Sequence, residues 1–223
     1  MQYQAVVFDM DGVIFDTERL VIEFWKEVAK KHNIPNVEHT CIQCLGTNRV
    51  RTREIFLENY GADFPFDPYR AEVTELFNTH YKGVPLPTKP GIRELLNYLQ
   101  EQDIKVGLAS STAQHLVHDE IGTAGLLPYF QTLVCGDMVE HSKPAPDIFL
   151  KACEILNADP TKSIAIEDSF NGIRSAHCAG MTPIMVPDQV QPTDEIRTLA
   201  FHVMPSLLRC IKLAENSRIS VLY

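Results

Sequence analysis

From Ile92 onward, short apolar runs alternate with stretches of helical spacing, and this alternation leaves few folds open. Lys105 to Ala109, Thr132 to Cys135, Ser163 to Ile166 and Thr182 to Val186 read as strands. Ile92 to Glu101, His115 to Ala124, Asp147 to Leu156 and Asn171 to Ala179 read as the helices between them. Strands joined by crossover helices pair in parallel and carry helices on their faces. A last amphipathic segment, around Leu199 to Leu213, is expected to cover one edge. Near the start, Tyr3 to Val7 with Phe8 close behind gives one more buried strand, mostly β-branched or aromatic and uncharged.

No strand signal of any strength falls between about residues 18 and 82. Leu20, Phe24, Trp25, Val28 and Ala29 recur at helical spacing, and Asn33-Ile34-Pro35-Asn36 breaks that helix. Further helices run through Ile55, Phe56 and Tyr60, and through Tyr69, Val73, Leu76, Phe77 and Tyr81. The Pro-rich segment Val84 to Gly91 makes a hinge back to the strands. The expected organisation is an α/β core over residues 1–17 and 84–223, with an all-helical domain, residues 18–83, inserted after the first strand.

The first strand ends abruptly in Asp9-Met10-Asp11-Gly12. Ligands of open α/β sheets bind beyond the carboxyl ends of strands. Two carboxylates there cost desolvation energy unless a cation offsets it. Side chains at i and i+2 of a strand point the same way, so Asp9 and Asp11 can face one pocket if the extended geometry persists. A carboxylate can serve as nucleophile, metal ligand or general acid/base. The pair could also be an Asp-rich turn that caps the next helix. A calcium loop fails on residues, because counted from Asp9 its fifth and twelfth positions are Val13 and Leu20.

Three other strand ends carry polar clusters. Lys105 to Ala109 hands over to Ser110-Ser111-Thr112, hydroxyls near a helix start, which suit a phosphate oxygen or an N-cap. Lys143 sits in Ser142-Lys143-Pro144-Ala145-Pro146-Asp147, where the prolines restrict the local backbone. Ser163 to Ile166 ends in Glu167-Asp168-Ser169, a second acidic pair ahead of a helix.

Val7 to Glu18 (VFDMDGVIFDTE), with Val106 to Thr112, His141 to Phe149 and Ile164 to Ile173, resembles the haloacid dehalogenase (HAD) superfamily of phosphotransfer enzymes. The likeness is greatest to its sugar-phosphate phosphatases and β-phosphoglucomutases. It covers residues 5–18 and 88–186 well, the helical insertion only in outline and the C-terminal stretch hardly at all. The resemblance implies a Rossmann-like parallel sheet with helices on both faces and a helical cap. It implies that Asp9 attacks phosphorus and that Asp11 protonates the leaving oxygen and then activates water. Ser110, assisted by backbone N–H groups beside it in Ser111 and Thr112, would bind the phosphoryl group, and Lys143 would neutralise charge. Mg²⁺ would be held by Asp9, the Asp11 carbonyl and Asp168, with Glu167 as a ligand or a partner through water. A carboxylate about 4 Å from a phosphate dianion is repelled by roughly 8 kcal/mol at an effective dielectric near 20, which makes such a cation necessary.

Asp11 also separates reaction classes. Halide leaves unprotonated, so a dehalogenase needs no acid two residues after its nucleophile. Phosphoryl transfer is therefore favoured. The insertion would then close over the site and read the substrate. Arg49 lies where sugar-phosphate members place a substrate-binding arginine. Arg53, four residues on, could share its helix face or belong to a solvated charged face. Val21 and Leu45 stand where β-phosphoglucomutase has a histidine and a lysine, which favours hydrolysis of a small phosphomonoester over a mutase.

The formal net charge of -9 argues against nucleic-acid or anionic-membrane partners. No apolar run approaches about 18 residues, and no secretory signal opens the chain. Six scattered cysteines, including the Cys41-Ile42-Gln43-Cys44 pair, read as reduced thiols of a cytoplasmic protein. A monomer acting on a small phosphorylated metabolite is the resulting expectation.

Overall fold

The computed structural model describes residues 3–211. Six parallel strands form one sheet in the order β3-β2-β1-β4-β5-β6. They are β1 (Ala5–Phe8), β2 (Lys105–Ser110), β3 (Thr132–Cys135), β4 (Ser163–Glu167), β5 (Thr182–Met185) and β6 (His202–Val203). The first strand is therefore central, with Val6 beside Val106 on one side and Ile164 on the other.

Alternation along the strands sorts their side chains onto two faces. Val6, Phe8, Leu108, Ile166 and Ile184 pack on one face with α5 (Ile92–Glu101) and α6 (Gln114–Thr123). Ala5, Val7, Ala109, Val134 and Ala165 pack on the other with α7 (Asp147–Leu156) and α8 (Phe170–Cys178). Small residues on this second face let Phe149 and Leu156 approach closely; a Cβ at Gly107 would press on Leu156 and Thr132. Burial on both faces explains why these strands are continuous apolar runs.

Between β1 and α5 lie four helices and, among the described residues, no strand: α1 (Thr17–His32), α2 (Val37–Gln43), α3 (Arg49–Tyr60) and α4 (Phe66–Tyr81). They share an apolar cluster of their own, built on Leu20, Phe24, Trp25, Phe56 and Phe66. The Trp25 and Phe56 rings stand 4.4 Å apart at its centre. The two chain crossings between this cluster and the sheet run side by side. Asp16 N–H donates to Pro87 O at 2.9 Å, and Lys89 N–H to Ile14 O at 2.8 Å. The Lys89 ammonium then reaches Asp188, beyond β5, at 2.6 Å.

The structure departs from the sequence reading in three places. The first strand starts at Ala5 rather than Tyr3. Helix α2 goes unpredicted, because only Val37, Thr40 and Cys41 are buried and seven residues show too little periodicity. The amphipathic segment expected around Leu199 to Leu213 is instead a helix, α9 (Asp194–Leu199), then β6, then a helical stretch over residues 207–211. Backbone bonds from Phe201 N–H to Pro183 O and from Met204 N–H to Met185 O turn that segment into an edge strand. Residues 212 and 213 of the expected segment lie outside the described residues. No helix among the described residues is long and apolar enough to cross a membrane.

Candidate active site

β1, β2 and β4 are adjacent and end on the same edge, so the residues that follow them meet. Asp9 continues the line of β1, its N–H donating to Ile166 O at 2.9 Å. The Lys143 ammonium lies between two carboxylates, 2.5 Å from Asp9 Oδ1 and 2.5 Å from Glu167 Oε1, and its third donor takes Ala109 O at 3.0 Å. The lysine is 2% exposed. Burial opposes its charge, but Asp9 and Glu167 outweigh burial and hold the ammonium above its ordinary range. A fully desolvated cation is tolerable here because all three of its donors are bonded.

Glu167 is buried and fully engaged. Its Oε2 accepts from the N–H groups of Asp168 and Ser169 and from the Ser169 hydroxyl, at 3.0 to 3.2 Å. The Ser169 hydroxyl in turn accepts from Gly172 N–H and caps α8. Asp168 differs. It is 1% exposed, and its Oδ2 is buried with no hydrogen-bond partner. Burial and then the Glu167 charge push its carboxyl well above the usual range. Asp9 is raised too, first by burial, with Lys143 opposing and Glu167 and Asp11 adding to it.

Asp9, Glu167 and Asp168 each offer one oxygen, and these atoms lie within 4.8 Å of one another. Such a set of hard oxygens, with Asp168 Oδ2 left without a partner, fits a divalent cation such as Mg²⁺. A Cβ at Gly12, whose φ is +82°, would collide with the Asp168 carboxylate, so the turn after Asp11 must be glycine.

Asp11 is placed differently from Asp9. The strand stops at Phe8, and the chain turns through residues 10–15, with Ile14 N–H on Met10 O. Both Asp11 oxygens accept from hydroxyls, Oδ1 from Thr17 at 2.6 Å and Oδ2 from Thr112 at 2.9 Å. Its side chain stands outside the three-carboxylate group.

The three hydroxyls after β2 have three separate tasks. Ser110, wholly buried, accepts from Thr112 N–H at 3.0 Å and keeps its own proton free to donate. Thr112 orients Asp11. Ser111 donates across to Gly46 O in the insertion at 3.2 Å. Arg49 is paired with Asp67 at 3.0 Å on an exposed surface, and Arg53 shares the same carboxylate. Cys41 and Cys44 close the end of α2, and burial pushes the Cys44 thiol up to about 12. Leu45 is buried and Val21 packs on the insertion's apolar cluster.

Sequence reasoning assigned nothing to Thr17 or Glu18. The Thr17 hydroxyl follows the signature aspartate by six residues, which sequence spacing alone does not distinguish from an N-cap. Glu18 lies in the first turn of α1, and burial followed by the Asp11 and Asp9 charges raises its carboxyl well above the usual range.

Known proteins resemble this chain over most of its length. The family model for haloacid dehalogenase-like hydrolases matches residues 6–186. The phosphorylated carbohydrates phosphatase of Thermotoga maritima is 33% identical over 181 residues, covering 81% of this chain and 83% of that protein. The β-phosphoglucomutase of Bacillus subtilis is 34% identical over 197 residues, 85% of each chain. The crystal structure of β-phosphoglucomutase from Clostridium difficile matches 98% of this chain and all of that one, with a TM-score of 0.79 at 25% identity.

Proposed function

We propose a phosphoric monoester hydrolase that works through an aspartyl-phosphate, because the chain belongs to the haloacid dehalogenase-like hydrolase family. The observation that carries the proposal is the buried Lys143, bonded to both Asp9 and Glu167, beside the unpartnered oxygen of Asp168. That constellation prepares a carboxylate to approach an anion.

In the first step an Asp9 oxygen attacks phosphorus in line. The bond from phosphorus to the substrate oxygen breaks, its electron pair leaves on that oxygen, and Asp11 delivers the proton. In the second step Asp11, now ionised, takes a proton from water as the water oxygen attacks the aspartyl-phosphate. The bond from phosphorus to Asp9 breaks, and inorganic phosphate leaves. Thr17 and Thr112 hold Asp11 in both states, since a hydroxyl can turn from donor to acceptor when the acid carries its proton. Ser110 and the N–H groups beside it receive the phosphoryl oxygens, and Lys143 offsets the negative charge of Asp9.

Asp9, the Asp11 carbonyl and Asp168 are the residues that would hold Mg²⁺. The ion would supply electrostatic stabilisation of the phosphoryl charge. Glu167, its oxygens already bonded to Lys143 and the start of α8, acts chiefly on the lysine. Of the described residues, 18–83 serve as the cap and the remainder as the core, a division supported by the separate apolar cluster of the helices. All six cysteines are free thiols, which suits a reducing cytoplasm.

The substrate class is a small phosphorylated sugar or related metabolite. Relatives named for phosphorylated carbohydrates and for fructose 1-phosphate support it. The apolar Val21 and Leu45 favour hydrolysis over mutase chemistry. The test is incubation with Mg²⁺ and a panel of phosphorylated metabolites. Free inorganic phosphate is expected. An isomerised sugar phosphate with no phosphate released would replace this reading by a phosphomutase.

A further inference from the structure

Two side chains from different catalytic loops reach across to one turn of the insertion. Ser111, next to Ser110 after β2, donates to Gly46 O at 3.2 Å. Asn171, in the first turn of α8 after Asp168 and Ser169, donates through Nδ2 to Leu45 O at 3.2 Å. The acceptors are consecutive main-chain carbonyls. The turn ties itself together within the insertion, Thr47 N–H to Cys44 O and the Thr47 hydroxyl to the same oxygen. It presents the next two carbonyls to the core.

Between these bonds the two surfaces are in close contact. A Cβ at Gly46, whose φ is +71°, would overlap the Ser169 hydroxyl. That hydroxyl donates to Glu167, and Glu167 accepts from the lysine that holds Asp9. On the other side Ser111 separates Ser110 from Thr112, the residue that holds Asp11. The turn therefore bears on both halves of the site at once.

We infer that Ser111 and Asn171 are positioning residues that latch the turn at residues 44–48 onto the catalytic edge, so that the strength of the latch sets the balance between the open and the closed site. The inference rests on the hydrolase reading, and it gives Ser111 a role other than binding phosphate through its side chain. The latch reads only main-chain atoms on the insertion side, while the Thr47 hydroxyl and the buried Leu45 keep the turn in shape from within. A neutral hydrogen bond contributes a modest net amount, so each deletion is expected to shift the open–closed balance about fivefold.

The experiment uses the full chain with Mg²⁺ and orthovanadate, a mimic of the transferring phosphoryl group. Hydrogen exchange at residues 44–48 is compared for the wild type, Ser111→Ala, Asn171→Ala, the double variant and Ser111→Thr. Exchange is expected to rise about fivefold in each alanine variant and about 25-fold in the pair. Ser111→Thr, which keeps the donor, should restore the wild-type rate. Steady-state kinetics should show kcat falling in step with exchange while the melting temperature stays within a few degrees. Unchanged exchange in the double variant overturns the latch. So does a rise in exchange with kcat held within twofold. If the wild type released no phosphate from any ester, the hydrolase reading would fail, and the exchange comparison would still decide whether the latch exists.

Discussion

The Lys143 ammonium stands 2.5 Å from Asp9 Oδ1, and the lysine is almost wholly removed from water. Glu167 holds the same ammonium from its other side. Removing the cation would leave two buried carboxylates facing each other. Lys143→Met is therefore expected to cost about 3–5 kcal/mol of stability as well as activity. Denaturant unfolding of the variant checks the first effect. A melt indistinguishable from wild type would mean that the pair is solvated in solution.

Asp9→Asn separates chemistry from stability. The amide keeps the shape of the side chain but is no nucleophile. Burial already disfavours the Asp9 carboxylate, and the Lys143 ammonium keeps Glu167 and Ala109 O, so the fold should lose little. Turnover is expected to drop by about 10³-fold or more, with the melting temperature within a few degrees of wild type. Near-normal phosphate release from purified variant would discard the covalent mechanism.

Gly12→Ala tests the cation site without touching a ligand. The added methyl would meet the Asp168 carboxylate, at a backbone φ of +82° that disfavours any side chain. Asp168 must shift, and the affinity for Mg²⁺ is expected to fall about 10- to 100-fold. Calorimetric titration of Mg²⁺ into the phosphate-free protein reads this directly. Unaltered binding heat and midpoint would remove Asp168 from the ligand set.

Glu120 on α6 gives stability a pH dependence of its own. One of its oxygens is buried without a partner. Burial first, then the Asp11 and Asp119 charges, push its carboxyl from 4.5 up to about 8. The folded state thus holds a proton that the unfolded state has lost across that interval. Its contribution is fully present below pH 4.5, falls as pH rises through about 8, and is constant above. Glu120→Gln cannot lose the proton. It is expected to match the wild type near pH 4.5 and to exceed it by about 2 kcal/mol at pH 9, discounted for partial solvation. Parallel stability curves for the two proteins across this range would rule the titration out.

Much of the core was legible because β2, β3 and β4 are buried on both faces and so appear as unbroken apolar runs. β6 was not, because a two-residue strand is defined by what it bonds to, not by its own pattern. The same distinction runs through the site. Asp9, Glu167 and Asp168 drew attention by standing at strand ends and Lys143 by its Pro-flanked loop, and the structure brings the four side chains together. The separate tasks of Ser110, Ser111 and Thr112 were not, since three neighbouring hydroxyls look alike until their partners are placed. Thr112 bonds a residue 101 positions away, and Ser111 one 65 positions away. Arg49 shows the opposite case, where a residue singled out by position is paired with Asp67 on an exposed surface.

Thr112→Val tests whether Asp11 acts as the acid. The substitution removes the donor to Asp11 Oδ2 and, among the described residues, leaves Thr17 as the only hydroxyl on that carboxyl. Asp11 is partly exposed, so water can replace the lost bond and the fold should be little affected. What water does not replace is orientation toward the leaving oxygen. A sugar alkoxide must be protonated as it departs, whereas p-nitrophenolate can leave without a proton. The loss in kcat/KM is therefore expected to be about 10- to 100-fold for a sugar phosphate and several-fold smaller for p-nitrophenyl phosphate. Thr17→Val should repeat the pattern, and the double variant should cost less than the product of the two, because both hydroxyls orient one carboxyl. Equal losses on both esters would mean that the hydroxyls support the binding of phosphate and that Asp11 takes its proton by another arrangement.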